Sequence, residues 1–224
     1  MKALITGASG GIGAAIVKKF LSCSFEVVGI DVNPAAVSDK NYTHLIADVT
    51  GDLPDIEDVN VLVTAAGIQS EGFDAIDVNL KGVIRVVEKY AFTPAIRAVV
   101  NVASASARTG SEFPIYTASK GGVVTYTKNV ALRLGAFGAT ANSLSPGGVM
   151  TSSNDPVIKD KKLFKEALAE SVLGKWAEPE EIAEWAYFLA VVNKSMTGED
   201  LFVDNGEMLK SNFIWPKQGC KTQF

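Results

Sequence analysis

The sequence predicts an α/β fold: one doubly wound parallel sheet with helices on both faces. Three observations carry this. Short apolar runs alternate with segments of helical period from the first residue. Several of those runs lack polar alternation, the pattern of strands buried on both faces. No linker, repeat or low-complexity stretch divides the 224 residues, so a single domain over 1–224 is expected, long enough to bury a sizeable core.

Strands are expected at 3–5, 25–30, 45–47, 59–63, 98–102, 139–144 and 201–203. The helix over 13–22 puts Ile16, Val17, Phe20 and Leu21 on one side, a second covers 78–90, and a third over 117–134 carries Val123, Thr127, Val130 and Leu134 at helical spacing. A last helix starts near Pro179, a residue suited to a first turn, with Glu180 and Glu181 complementing the dipole. Residues 48–58 hold Gly51, Pro54 and five acids, too little for a crossover with a full helix, and 67–78 is compressed in the same way. The crossovers after strands 3 and 4 are therefore predicted to be shortened.

Composition narrows the function. With 21 basic against 25 acidic residues the net charge is −4, which gives no basic surplus to neutralise a phosphate backbone or an anionic membrane surface. Cys23 and Cys220 cannot make a disulfide framework, and with His44 the only histidine no metal site is expected. A reducing cytoplasm fits, and the amino terminus lacks the charged region and long apolar stretch of a secretory signal. The uncharged stretch 134–154 is broken by glycines, Asn142 and Pro146, which argues against a membrane span.

The first strand runs into Gly7, Ser9, Gly10, Gly11, Ile12 and Gly13 and opens a helix. Glycines there let the backbone turn sharply, approach a pyrophosphate without a Cβ in the way and pack helix on strand, the arrangement of a Rossmann-type sheet; such a string alone also fits a structural turn. Asp31 ends the second strand 20 residues after Gly11, where a carboxylate can accept from an adenosine ribose, or simply shape a turn before Pro34. No Arg or Lys stands at 8–11 or 32–33 to meet a 2′-phosphate, so NAD is favoured over NADP.

Tyr116 and Lys120, four apart at the start of a helix, share a face. A phenol is a poor base at neutral pH, but a neighbouring ammonium lowers its pKa, and the pair can then exchange a proton with an alcohol or carbonyl. The plain alternative is a packed ring beside a solvated lysine. Ser104 follows the strand 98–102 at the carboxyl edge, where ligands bind in open α/β sheets, or where a serine caps a turn.

Taken together, Thr6-Gly7-x-x-x-Gly11-x-Gly13, Asp48-Val49, Ala65-Ala66-Gly67, Asn79, Ser104, Tyr116-x-x-x-Lys120 and Pro146-Gly147 resemble the short-chain dehydrogenase/reductase family, in the family's order over nearly the whole chain. The resemblance implies Tyr116 as general acid/base, Ser104 as a hydrogen-bond donor to the reacting oxygen, and Lys120 as the group that lowers the phenol pKa and holds the nicotinamide ribose. It implies that Asn79 seats a water linking Lys120 to solvent. For the cofactor it implies Asp31 and Val32 at the adenosine ribose, Asp48 and Val49 by the adenine, Ala65, Ala66 and Gly67 by the ribose, and Pro146, Gly147, Val149 and Thr151 about the nicotinamide. Gly10 stands where NADP-using relatives often carry arginine. Two departures stand out. Thr64 replaces an amide that stabilises the sheet in the family, and Ser104 lies one residue nearer the tyrosine than in many relatives, which implies a trimmed loop over 110–114; the hydroxyl and phenol are still expected to converge.

Substrate would meet Ile68, Gln69, Ala105, Ser106, Phe113, Gly148, Met150 and a lid over roughly 151–176, whose Leu163, Phe164, Leu168 and Val172 read equally as lid face or plain core. Lys159, Lys161, Lys162 and Lys165 could attract an acidic carrier, although Asp160 and Glu166 interleave as on a solvated helix. The leading expectation is an NAD-dependent enzyme acting on a small-molecule secondary alcohol or ketone. A 3-oxoacyl carrier-protein reductase and a dinucleotide-sensing protein without turnover are the alternatives. The family implies a homodimer or homotetramer, and the apolar tail 213–224 is expected to dock on a neighbour or on the body of the chain.

Overall fold

The computed structural model describes residues 1–110 and 113–209. Seven parallel strands form one sheet in the order β3-β2-β1-β4-β5-β6-β7. They are β1 (Lys2–Thr6), β2 (Glu26–Asp31), β3 (Tyr42–Ile46), β4 (Val61–Thr64), β5 (Ala98–Val102), β6 (Thr140–Pro146) and β7 (Asp200–Val203). The helices are α1 (Gly11–Ser22), α2 (Val83–Tyr90), α3 (Ser106–Thr109), α4 (Pro114–Leu134), α5 (Asp155–Ile158), α6 (Lys161–Glu170) and α7 (Pro179–Tyr187). Every expected strand is present. β3 begins three residues earlier than its apolar run, because Tyr42 and Thr43 pair with Val27 and Val28 at the sheet edge. The tail 213–224 and Cys220 lie outside the described residues.

Two cores flank the sheet. On one face α1 and α7 pack through Ile16, Val17, Phe20, Ile182 and Leu189; on the other, α2 and α4 pack through Val86, Val87, Val123, Val130 and Leu134. The expected helix over 78–90 is present with a difference, since Ile76–Gly82 winds as a wider π turn before α2 begins.

The shortening predicted after strand 3 is complete: residues 47–60 contain no helix. The chain must pass from β3 across β2 and β1 to β4, about 14 Å laterally at ~4.8 Å per strand, and return the length of a strand. A helix rises only ~1.5 Å per residue against roughly 3.3 Å for extended chain, so fourteen residues reach further without one. Val49, Leu53, Ile56 and Val59 cover the sheet in the helix's place. Beyond β4, residues 65–73 are free of helix, and the helical turn begins at Asp74. The connection 32–41 also lacks a helix, a third shortening that the sequence reading did not single out, with Val37 packed on the core.

Thr64 takes up the family amide's task through its hydroxyl. Its Oγ1 donates to Asn101 Oδ1 at 2.8 Å, and Asn101 Nδ2 donates to Thr127 Oγ1 on α4 at 2.9 Å, all three residues being buried. Asn101→Ala removes the shared partner of two buried groups and is expected to lower stability by about 1–3 kcal/mol in urea unfolding, with a non-additive double-mutant cycle against Thr64→Val.

Candidate active site

All strands run the same way, so their carboxyl ends share one edge, and the sequence-predicted residues collect there. The glycine turn follows β1, Asp31 ends β2, Asp48 and Val49 follow β3, Ala65 to Gly67 follow β4, Ser104 follows β5 and the 146–151 segment leaves β6.

Gly7 adopts φ +69°, and a Cβ there would lie 2.6 Å from the backbone of Ala65 and Ala66, so only glycine fits between the two segments. Gly10 precedes α1 without any side-chain cap, leaving first-turn amides directed at whatever lies beyond the turn. A Cβ on Gly11 would meet Thr151 Cγ2 at 2.7 Å, which puts the glycine turn against the start of the lid segment. Asp31 is 9% exposed; its Oδ2 accepts the Ser9 N–H at 2.9 Å, while Oδ1 accepts the Asn33 N–H at 2.9 Å and Asn33 Nδ2 at 3.1 Å. Val32 beside it is exposed. Asp48 turns its carboxylate on the Thr50 N–H and hydroxyl, which holds its pKa below the ordinary value, and Val49 packs inward against Gly82.

Ser104 is held from both sides, since the N–H groups of Ala103 and Ala105 donate to Leu144 O and Pro146 O on β6. Its hydroxyl comes near enough to the Tyr116 phenol to work against the upward push of burial on the phenol pKa. Lys120, 5% exposed, donates from Nζ to Val102 O at 3.0 Å and lies 5.7 Å from the centre of the Tyr116 ring. Burial pushes the Tyr116 phenol up, and Ser104 works against that push. Burial also brings the Lys120 ammonium down to about 8. Nζ points at a strand carbonyl rather than at the phenol oxygen.

Asn79 is fully buried, and its side chain is committed: Oδ1 accepts the Ile68 N–H at 2.8 Å, and Nδ2 donates to Ile68 O at 2.9 Å and Ser119 Oγ at 3.1 Å. Ser119 Oγ in turn donates to Tyr116 O at 2.6 Å. Sequence reasoning missed Ser119, although it stands between Tyr116 and Lys120 in the motif. It missed Glu207 as well, whose Oε1 accepts the Gly148 N–H at 3.0 Å and braces the turn after Pro146 and Gly147. The Trp176 indole occupies the space a Cβ on Gly148 would need and meets Phe164 edge-on at 5.4 Å, while Val149 bridges to Ala177. Both ends of the 151–176 segment are thus tied to one turn. Leu163 and Val172 are exposed, neither core nor buried lid face.

Comparison with known proteins agrees with this geometry. Residues 56–207 match the family model described as enoyl-(acyl carrier protein) reductase. The 3-oxoacyl-[acyl-carrier-protein] reductase of Rickettsia bellii is 30% identical over 92% of this chain and 96% of its own length. The ligand-free aldohexose dehydrogenase of Thermoplasma acidophilum superposes with TM-score 0.85 at 25% identity, covering 96% of this chain and 97% of that one. A structure from Agrobacterium tumefaciens with bound NADP gives TM-score 0.81 at 28% identity, covering 93% and 96%. The chain belongs to the short-chain dehydrogenase/reductase family, oxidoreductases that act on CH–OH groups with a nicotinamide dinucleotide.

Proposed function

We propose that the protein interconverts a secondary alcohol and a ketone with NAD(H), using Tyr116 as acid and base. The observation that supports this most directly is the gathering of Ser104, Tyr116 and buried Lys120, with Lys120 Nζ 5.7 Å from the centre of the Tyr116 ring, at the sheet edge that also carries the glycine turn and Asp31. The uncapped α1 terminus and the glycine cradle fit a pyrophosphate. Gly7, Ser9, Gly10, Gly11, Ile12 and Gly13 would hold it, with Asp31 and Val32 at the adenosine ribose, Asp48 and Val49 by the adenine, Ala65, Ala66 and Gly67 by the second ribose, and Pro146, Gly147, Val149 and Thr151 about the ring. When bound, the nicotinamide supplies the hydride acceptor or donor.

In reduction Tyr116 gives its phenol proton to the carbonyl oxygen while Ser104 donates a hydrogen bond to the same atom; in oxidation the phenolate takes the alcohol proton. Lys120 holds ribose hydroxyls and favours the phenolate once a ligand draws Nζ towards the site. With the Asn79 side chain committed to Ile68 and Ser119, any water it seats would use its main chain, which the π turn releases from regular pairing. NAD is preferred because a 2′-phosphate would approach the Asp31 carboxylate, and Oδ2, with one bond from Ser9, keeps a lone pair for a ribose hydroxyl.

A carrier-protein reductase is the second reading, supported by the Rickettsia relative. Against it stand Asp31 and a lysine cluster in which Lys159 pairs with Asp155 at 2.6 Å. A sensor without turnover would need no phenol. We read the chain as one domain with a lid over 151–176, working in the cytoplasm as a homodimer or homotetramer.

Tyr116→Phe is expected to lower kcat by about a hundredfold or more while NADH binding, followed by fluorescence titration, stays near the parental value. Asp31→Ala is expected to reduce the NAD-to-NADP ratio of kcat/KM by roughly tenfold. Lys120 titrates at about 8 folded against 10.5 unfolded, so between those values the unfolded chain binds more protons. Stability of the ligand-free protein should therefore rise across that window by up to roughly 3 kcal/mol. Below it the cost of burying the charge is complete. Thermal unfolding of Lys120→Met across the same window should lack the rise.

A further inference from the structure

Ser104 Oγ accepts two hydrogen bonds from one residue, the Ser106 backbone N–H at 3.2 Å and the Ser106 hydroxyl at 2.9 Å. A serine hydroxyl has one proton to give and two lone pairs to fill. Ser106 fills both, so the only thing Ser104 can still offer is its proton, and the Tyr116 phenol is near enough to have its pKa held down by that hydroxyl. We propose that Ser106 is a positioning residue that locks Ser104 as a hydrogen-bond donor towards the Tyr116 oxygen and the oxygen of the substrate. This rests on the acid/base reading of Tyr116 and deepens it.

The two contacts differ in kind. The N–H contact is a turn at the start of α3 that any residue except proline at 106 supplies. The hydroxyl contact is unnecessary for that turn and requires Ser or Thr. Pinning of Ala103 and Ala105 to β6 keeps Ser104 from turning away, so a change at 106 acts on the hydroxyl's proton rather than on the strand. A donor-locked Ser104 favours the phenolate of Tyr116. Without the lock, Ser104 can accept from the phenol instead, which favours the neutral ring and holds the proton between the two oxygens. Among the described residues Lys120 on α4 is the charged group placed at the ring, while Arg108 on α3, two residues after Ser106, is exposed and stacked on Phe202 at 5.3 Å. Neither is altered by substitution at 106.

The test is an ultraviolet phenolate titration of the parent, Ser106→Ala and Ser106→Thr, with Tyr116→Phe subtracted to isolate one ring. It is paired with kcat and its pH profile for NAD-linked oxidation of the best secondary alcohol in a screen. Ser106→Ala should move phenolate formation and the acidic limb of kcat to higher pH and lower kcat roughly three- to tenfold, with KM for NAD unchanged. Ser106→Thr should restore both. If Ser106→Ala does not fold, Ser106→Cys, similar in size with a weak donor, should give the same shift. A titration curve identical to the parent's in the Ala or Cys variant overturns the proposal, as does a Thr variant as impaired as Ala. Turnover in Tyr116→Phe would sink the acid/base reading and the lock with it; an inactive Tyr116→Phe beside an unshifted Ser106→Ala sinks the lock alone.

Discussion

The seating of α4 across β5 is the constraint on which the site depends. Three buried polar contacts hold it: Asn101 reaches Thr127, Lys120 reaches Val102 O, and Asn79 reaches Ser119 beneath the Tyr116 carbonyl. Apolar packing through Val123, Val130 and Leu134 supplies the bulk of the attraction, but it is non-directional and would tolerate a slide along the helix axis. Buried donors and acceptors do not, because a shifted register leaves them unpaired in a medium that cannot compensate. The phenol therefore inherits its position from polar groups one turn and about three turns along α4.

The same helix carries a buried ammonium whose charge the apolar surroundings disfavour. Its hydrogen bond to Val102 O offsets part of that cost. A group kept charged against its environment at the edge where ligands enter is what a site for a polar cofactor requires. On the opposite side of the sheet the chain dispenses with helices over 32–41 and 47–60, and extended segments cover the cores with Val37, Leu53 and Ile56. The shortening falls on β2 and β3, away from Ser104, Tyr116 and Lys120. Val32 and Ile46 stay exposed there, so the wall beyond Asp31 is low while the hydroxyl cluster is fully framed.

Much of this was legible in the chain. Apolar runs such as 61–63, and 98–102 broken only by Asn101, have the pattern of strands buried on both faces, and the glycine string falls where the first strand opens into a helix. The Tyr116 and Lys120 spacing put both on one helix face. Less legible were the partners of polar groups. Thr64 looked like a lost amide until its hydroxyl was seen on Asn101, and Ser119, Trp176 and Glu207 carry no signal in spacing because their partners are distant in sequence or are backbone atoms. The direction of the Lys120 ammonium was hidden in the same way: a shared helix face says that a lysine is near the ring, not that its Nζ donates to Val102 O.

The sequence by itself determined the parallel sheet and the glycine turn on its first strand, and it named the candidate trio Ser104, Tyr116 and Lys120, because hydrophobic period and local backbone demands are written in neighbouring residues. Only the tertiary structure decided which way each proton and charge faces: Nζ of Lys120 towards Val102 O, the Asn79 amide towards Ile68 and Ser119, and the Ser104 lone pairs towards Ser106. Hydrogen bonds are short and directional, and their pairing is settled by which elements come within about 3 Å once the sheet and helices have packed.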